Sequence, residues 1–211
     1  MLVKTTGIVL KKIPYTDHSA VVQIFTEHHG LVPFLVQGLG KSKSKAAYYQ
    51  SGQILDIVFN DKQGPGLRRV KEVNLNPENP ILIDIIAQQL CFFYTELVLL
   101  SIQDAHIDME LFDYVKHELC QTPSTIQQKY APIRFVLGLC SQLGYQIDAD
   151  IHFPHLEGTK EQLNQILAGK DPNIDRATRR HLLNRVVERL QIEAFPEKSV
   201  YTLKIIDELL G

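Results

Sequence analysis

The chain has 211 residues, 45% of them hydrophobic, which is enough apolar material for a sizeable core. Its formal charge of −2 averages two unlike parts: residues 1–77 hold ten Lys or Arg against five acids, a net of +5, and the remainder twelve against nineteen, a net of −7. Such asymmetry points to a polyanionic partner for the first part. Neither an apolar run long enough to span a bilayer nor a basic-apolar-small leader pattern is found, so a soluble cytoplasmic protein is expected.

The first third reads as strands. Strand 1 is expected over about Thr5 to Lys12 and strand 2 over about Ser19 to Thr26. His29-Gly30 turns into strand 3, Leu31 to Gln37, in which Pro33 marks an edge or a bulge because proline has no N–H for the ladder. The basic loop Gly38-Leu39-Gly40-Lys41-Ser42-Lys43-Ser44-Lys45 follows. Alternation over Ile54 to Phe59 predicts strand 4, and Leu67 to Leu75 predicts strand 5, after a turn at Asp61–Gly66. Five strands without a crossover helix suit a closed antiparallel barrel, an OB-fold first and an SH3-like barrel second.

Asn76-Pro77-Glu78-Asn79-Pro80 marks the change of character. Apolar residues then recur three or four apart from Ile83 to Leu100, the pattern of a buried helix. Further helices are predicted over Met109–Leu119, ended by Thr122-Pro123, and over Thr125–Leu143, with Gly144 as its stop. Three more follow: Lys160–Leu167, Asp175–Leu190 with Asp175 as N-cap, and Ser199–Leu210 with Ser199 as cap. The expected organisation is therefore α+β in two parts, an OB-fold β-barrel over 1–77 and an all-α helical domain over 78–211.

The basic loop is not a P-loop. Gly40-Lys41-Ser42 would need a glycine five positions before Gly40, where Leu35 stands. Lysines spaced by small serines are better read as mobile cations that neutralise phosphates and release counterions. Lys11 and Lys12 at the end of strand 1, and Arg68, Arg69 and Lys71 in strand 5, can join Lys41, Lys43 and Lys45 if the barrel closes. Tyr15, Phe34, Tyr48 and Tyr49 are interleaved with these cations and offer either base-stacking surfaces or barrel packing. The three cysteines, Cys91, Cys120 and Cys140, lie in apolar helical stretches and read as buried thiols. No nucleophile elbow, His-Glu-x-x-His or dinucleotide fingerprint is present, so no catalysis and no cofactor are expected.

Gly7-Ile8-Val9-Leu10, Pro14-Tyr15, Asp17, Phe25-Thr26, Gly30 and the Gly38 loop resemble the start of the RecO family of bacterial recombination mediators. Arg134-Phe135 and Leu143-Gly144-Tyr145 resemble a helix of that family's second domain. The resemblance implies an OB domain that binds single- and double-stranded DNA, and annealing of complementary strands. It also implies work with RecR and, in many bacteria, RecF, and loading of RecA on single strands coated by the single-strand binding protein SSB, whose acidic C-terminal tail such proteins bind. A receptor for that tail needs an apolar pocket beside a cation, for which Arg134 and the cluster Arg176, Arg179, Arg180 are candidates. Two departures stand out. His18 follows Asp17 where many relatives have arginine, and no cysteine follows Tyr145 where many have a four-cysteine zinc site. Asp148, Asp150, His152 and His155 occupy that region, and without thiolates a closed zinc site is not expected there.

The leading expectation is a non-enzymatic, nucleoid-associated DNA-binding mediator. A protein-interaction adaptor whose barrel never touches nucleic acid is the alternative, and an RNA-binding accessory factor a third.

Overall fold

The computed structural model describes residues 1–39, 43–61, 66–81, 83–102, 107–125, 128–145, 147–148 and 160–209. Five strands, β1 (Leu2–Thr16), β2 (Ser19–Thr26), β3 (Gly30–Gln37), β4 (Ile54–Asn60) and β5 (Val70–Leu75), form one antiparallel sheet in the order β3-β2-β1-β4-β5. The end strands meet at a parallel bridge between Phe34 and Arg68. There Leu35 N–H donates to the Arg68 carbonyl at 2.8 Å and Arg68 N–H to the Pro33 carbonyl at 2.9 Å. This closure makes the sheet an OB-fold barrel. Pro33 lies on β3 at the end of the ladder order, the edge position its missing N–H requires.

Burial on both faces explains the continuous apolar run Ile8-Val9-Leu10, all three buried. Val9, Val22, Ile24, Phe34, Val36, Leu55, Ile57 and Phe59 fill the interior, with Tyr49 among them. On the outer face the register aligns Leu31, Phe25, Ile8 and Ile54 in one row across four strands, all buried. Helices α2 (Ile85–Ser101) and α3 (Met109–Thr125) cover that face: α2 packs on β1, and Phe112 meets Phe25 edge-on at 5.5 Å. Gly7 sits where the Ile24 side chain leaves no room for another. A Cβ there would lie 2.5 Å from the Ile24 Cγ2, a distance real side chains do not reach.

Helix α1 (Lys43–Tyr48) occupies part of the expected basic loop. Beyond α3 come α4 (Ala131–Gln142), α5 (Lys160–Leu167), α6 (Arg176–Ala194) and α7 (Leu203–Leu209). Two compact units result, Met1–Pro123 and Ser124–Gly211. Secondary structure changes at 76–80 as the proline-asparagine cluster suggests, but the first unit continues to Pro123 because α2 and α3 pack on the barrel. In the second unit α4 packs against α5 and α6. Asp175 caps α6, accepting from Thr178 N–H at 2.9 Å and from its hydroxyl at 2.8 Å.

Several boundaries differ from expectation. Strand β1 runs to Thr16 because its hairpin with β2 continues past the barrel as an exposed arm. Helix α3 passes through Pro123 to Thr125: the proline forfeits the bond its N–H would have made to the carbonyl four residues earlier, and the helix ends within two residues of it. Helix α4 starts at Ala131 with Pro132 in its first turn, where proline's fixed φ favours initiation. Its end is as expected: Gly144 has φ +81° and Tyr145 N–H returns to the Cys140 carbonyl at 2.8 Å. The last helix begins at Leu203, so Ser199 is not its cap. No described helix is long and apolar enough to cross a membrane.

Candidate nucleic-acid interface

The barrel ladder places the cations of the first unit. Lys12 pairs with Val22, Val22 with Phe34, and Phe34 bridges to Arg68. Lys11 is paired one step away, with Gln23. Lys12 and Arg68 therefore stand at one level of the barrel, separated by three strand spacings, about 14 Å, while Lys11, one residue along an extended strand, points to the opposite face from Lys12. Arg69, just before β5, and Lys71, within it, follow Arg68 along the chain, both exposed and, among the described residues, without a carboxylate partner. The Arg68 guanidinium donates to the Gly66 carbonyl at 3.2 Å, which holds it against its own backbone just before β5.

Lys41 lies outside the described residues. Lys43 and Lys45 belong to α1 and so are carried on a helical backbone, not the open loop that their serine spacing suggests.

The aromatic candidates divide sharply. Phe34 is fully buried and meets Phe59 edge-on at 5.1 Å. Tyr49 is 1% exposed, and burial pushes its phenol up to about 12, so it is barrel core. Tyr48 is half-buried against the same core. Tyr15 is 66% exposed on the β1–β2 arm and is the one of the four offering an open ring face. At the tip of that arm the His18 carbonyl accepts from Gly38 and Leu39 N–H at 2.8 and 3.1 Å. The backbone at His18 thus fastens the arm to the end of β3 while its side chain stays exposed.

The second unit contains a narrow pocket with an apolar floor of Pro132, Ile133, Leu183 and Ile206. Four cations line it: Lys129, Arg176, Arg179 and Arg180. Helical spacing explains the last three, since residues 176, 179, 180 and 183 fall on one face of α6. One anion is built in. The buried Asp207 carboxylate accepts from Arg180 Nε at 3.1 Å and from Asn184 Nδ2 at 3.1 Å. The expected arginine cluster is thus assembled here, with Lys129 added, a residue the expectation did not include. Arg134 is placed elsewhere: its guanidinium donates to Asp171 at 2.8 Å and to the Lys170 carbonyl at 2.9 Å, and it does not line the pocket. It ties α4 to the segment after α5, beside the hydrogen bond from the Tyr130 hydroxyl to the Pro172 carbonyl.

Cys91 and Cys140 are buried free thiols, both pushed up to about 12 by burial, and Cys120 is partly buried. Among the described residues no group of His, Cys, Asp and Glu is arranged to hold a metal. Asp150, His152 and His155 lie outside the described residues.

Fold and site together define a class: an OB barrel with cations near one level of its strands, followed by a helical unit carrying a cation-lined apolar pocket. Residues 1–76 match the family model described as Recombination protein O N terminal. The chain is 33% identical to the DNA repair protein RecO of Chlorobium phaeobacteroides over 152 residues, 69% of this chain and 57% of the relative. It is 26% identical to that of Christiangramia forsetii over 155 residues, 72% of this chain and 65% of the relative. With the RecO of Prosthecochloris aestuarii the identity is 34% over 76 residues, 36% of this chain and 29% of the relative. The chain thus spans less than two thirds of the length of these relatives. It belongs to the RecO family.

Proposed function

We propose that this chain is a DNA-binding recombination mediator of the RecO kind, acting in DNA repair without covalent chemistry. The observation that supports the reading is that Lys12 and Arg68 stand at one level of an OB barrel, with Lys11, Arg69 and Lys71 close to them along the chain. Cations gathered in this way neutralise phosphates and screen two like-charged backbones from each other, the physical requirement for annealing. Single strands are favoured because an unpaired strand can follow a barrel wall and present its bases, and double strands bind through the same phosphates.

The pocket of the second unit is the proposed receptor for the acidic C-terminal tail of SSB. Its apolar floor accepts an aromatic or aliphatic side chain and its cations accept carboxylates, which would bring the protein to SSB-coated strands for RecA loading. RecR and RecF are the proposed further partners, in the cytoplasm at the nucleoid. The test is annealing of complementary strands coated with the cognate SSB. Acceleration by the intact chain, lost on removal of the SSB tail, supports the reading. No acceleration, together with no binding of bare oligonucleotide in dilute salt, removes it. In that outcome the adaptor alternative stands.

A further inference from the structure

The barrel is closed at one point and open beyond it. From the Phe34–Arg68 bridge, β3 and β5 run on in the same direction, yet no ladder joins them among the described residues. The cause is visible in the β4–β5 register. Val58 pairs with Glu72 and Phe59 with Val70, so Lys71 is an extra, unpaired residue in β5. A bulge bends its strand and raises its twist, and bulges gather at barrel rims and beside functional sites. Here the bulge accompanies a gap between the strands, a cleft of about 220 Å³.

The lining of that cleft has two parts. Leu35, Val36, Val70 and Val73 form its walls, and the buried Tyr49 lies at its inner end. At the mouth stand the Gln37 side chain and the two exposed cations Arg69 and Lys71. Among the described residues no carboxylate lines this cleft or the neighbouring one formed by Asn60, Leu67 and residues 68–71.

We propose that this seam is a slot for a single unstacked nucleobase of a bound single strand. A nucleobase has flat faces that suit apolar walls and a phosphate at fixed distance that suits Arg69 and Lys71. The cleft has room for one base, and a base enters it only when unpaired and unstacked, so it selects single strands over duplex. The cationic mouth and the absence of lining carboxylates favour this occupant over an extended peptide added to the open strand edges. The proposal rests on the reading that the barrel binds single-stranded DNA, and deepens it.

The test uses the full chain and two strands of equal length, one abasic throughout and one abasic except for a single thymidine. The slot predicts that the thymidine tightens binding by about fivefold or more, the size expected when one base leaves water for a stacking or apolar site. Val73→Phe, which fills the cleft, should abolish that gain and leave affinity for the abasic strand unchanged. Lys71→Ala should weaken both strands alike. A strand carrying one photoreactive iodouracil supplies a readout independent of any variant: cross-links should map to residues 35–37, 49 or 69–73. Equal binding of the two strands, or cross-links confined to other segments, overturns the slot and leaves backbone binding by the barrel intact. Binding of neither strand overturns both readings. Displacement of the thymidine strand from the slot by an acidic peptide of higher affinity assigns the seam to a protein partner and overturns the nucleotide assignment.

Discussion

Replacing Arg69 and Lys71 together by Ala should change the salt dependence of DNA binding by a calculable amount. Both residues are exposed and neither has a carboxylate partner among the described residues, so their loss removes cations without breaking an internal contact. Each phosphate neutralised on a single strand contributes about 0.7 to the slope of log affinity against log salt. Two fewer contacts reduce that slope by about 1.4, whatever Lys11, Lys12, Arg68 and the α1 lysines contribute. Between roughly 50 and 200 mM salt the affinity of the wild type should therefore fall about sevenfold more than that of the double variant. Fluorescence anisotropy of a labelled oligothymidylate, titrated across this range, measures both slopes. Parallel slopes for variant and wild type would refute the placement of DNA on the β5 side of the barrel, even if the absolute affinities differed.

Three further outcomes are expected. Lys129→Ala combined with Arg176→Ala should weaken binding of an acidic, aromatic-ended peptide, by anisotropy, while leaving oligothymidylate affinity unchanged, because both residues line the pocket of the second unit. Gly7→Ala forces a Cβ to within 2.5 Å of Ile24 and should destabilise the first unit by about 1–3 kcal/mol, read as a lowered urea midpoint at unchanged slope. Burial holds the Glu118 carboxyl above the usual range, with His117 opposing, so its protonated form is favoured by folding. Its contribution is then most favourable below the unfolded pKa and is lost as pH rises through the folded one. Glu118→Gln should accordingly gain stability relative to wild type at neutral pH, and the gap should close in acid, where both side chains are neutral.

The sheet was legible because its signals are local. Alternation along Ile54–Phe59, the turn at His29-Gly30 and the proline in β3 each state a backbone requirement within a few residues. Asp175 and Gly144 likewise announced helix ends through side-chain and φ preferences that act at short range. What escaped the sequence was set by contacts between distant residues. Tyr49 follows the lysines and reads equally well as a stacking ring, yet barrel closure puts it inside. Arg134 looks like a free cation until the segment after α5 brings Asp171 to it. The bulge at Lys71 has no composition of its own and appears only when β4 and β5 are laid side by side. The α6 arginines were visible as a cluster, but the apolar floor beneath them needs α4 and α7 in place.

The row Leu31, Phe25, Ile8 and Ile54 has a practical corollary for anyone dissecting this molecule. At about 1.5–3 kcal/mol for each large apolar side chain taken from water, covering that row is comparable with the whole folding stability of a small domain. A fragment severed after residue 77 would present these four side chains to solvent as a greasy strip and would tend to self-associate. An excised amino-terminal piece should therefore run through Thr125, the end of α3, so that both covering helices stay attached.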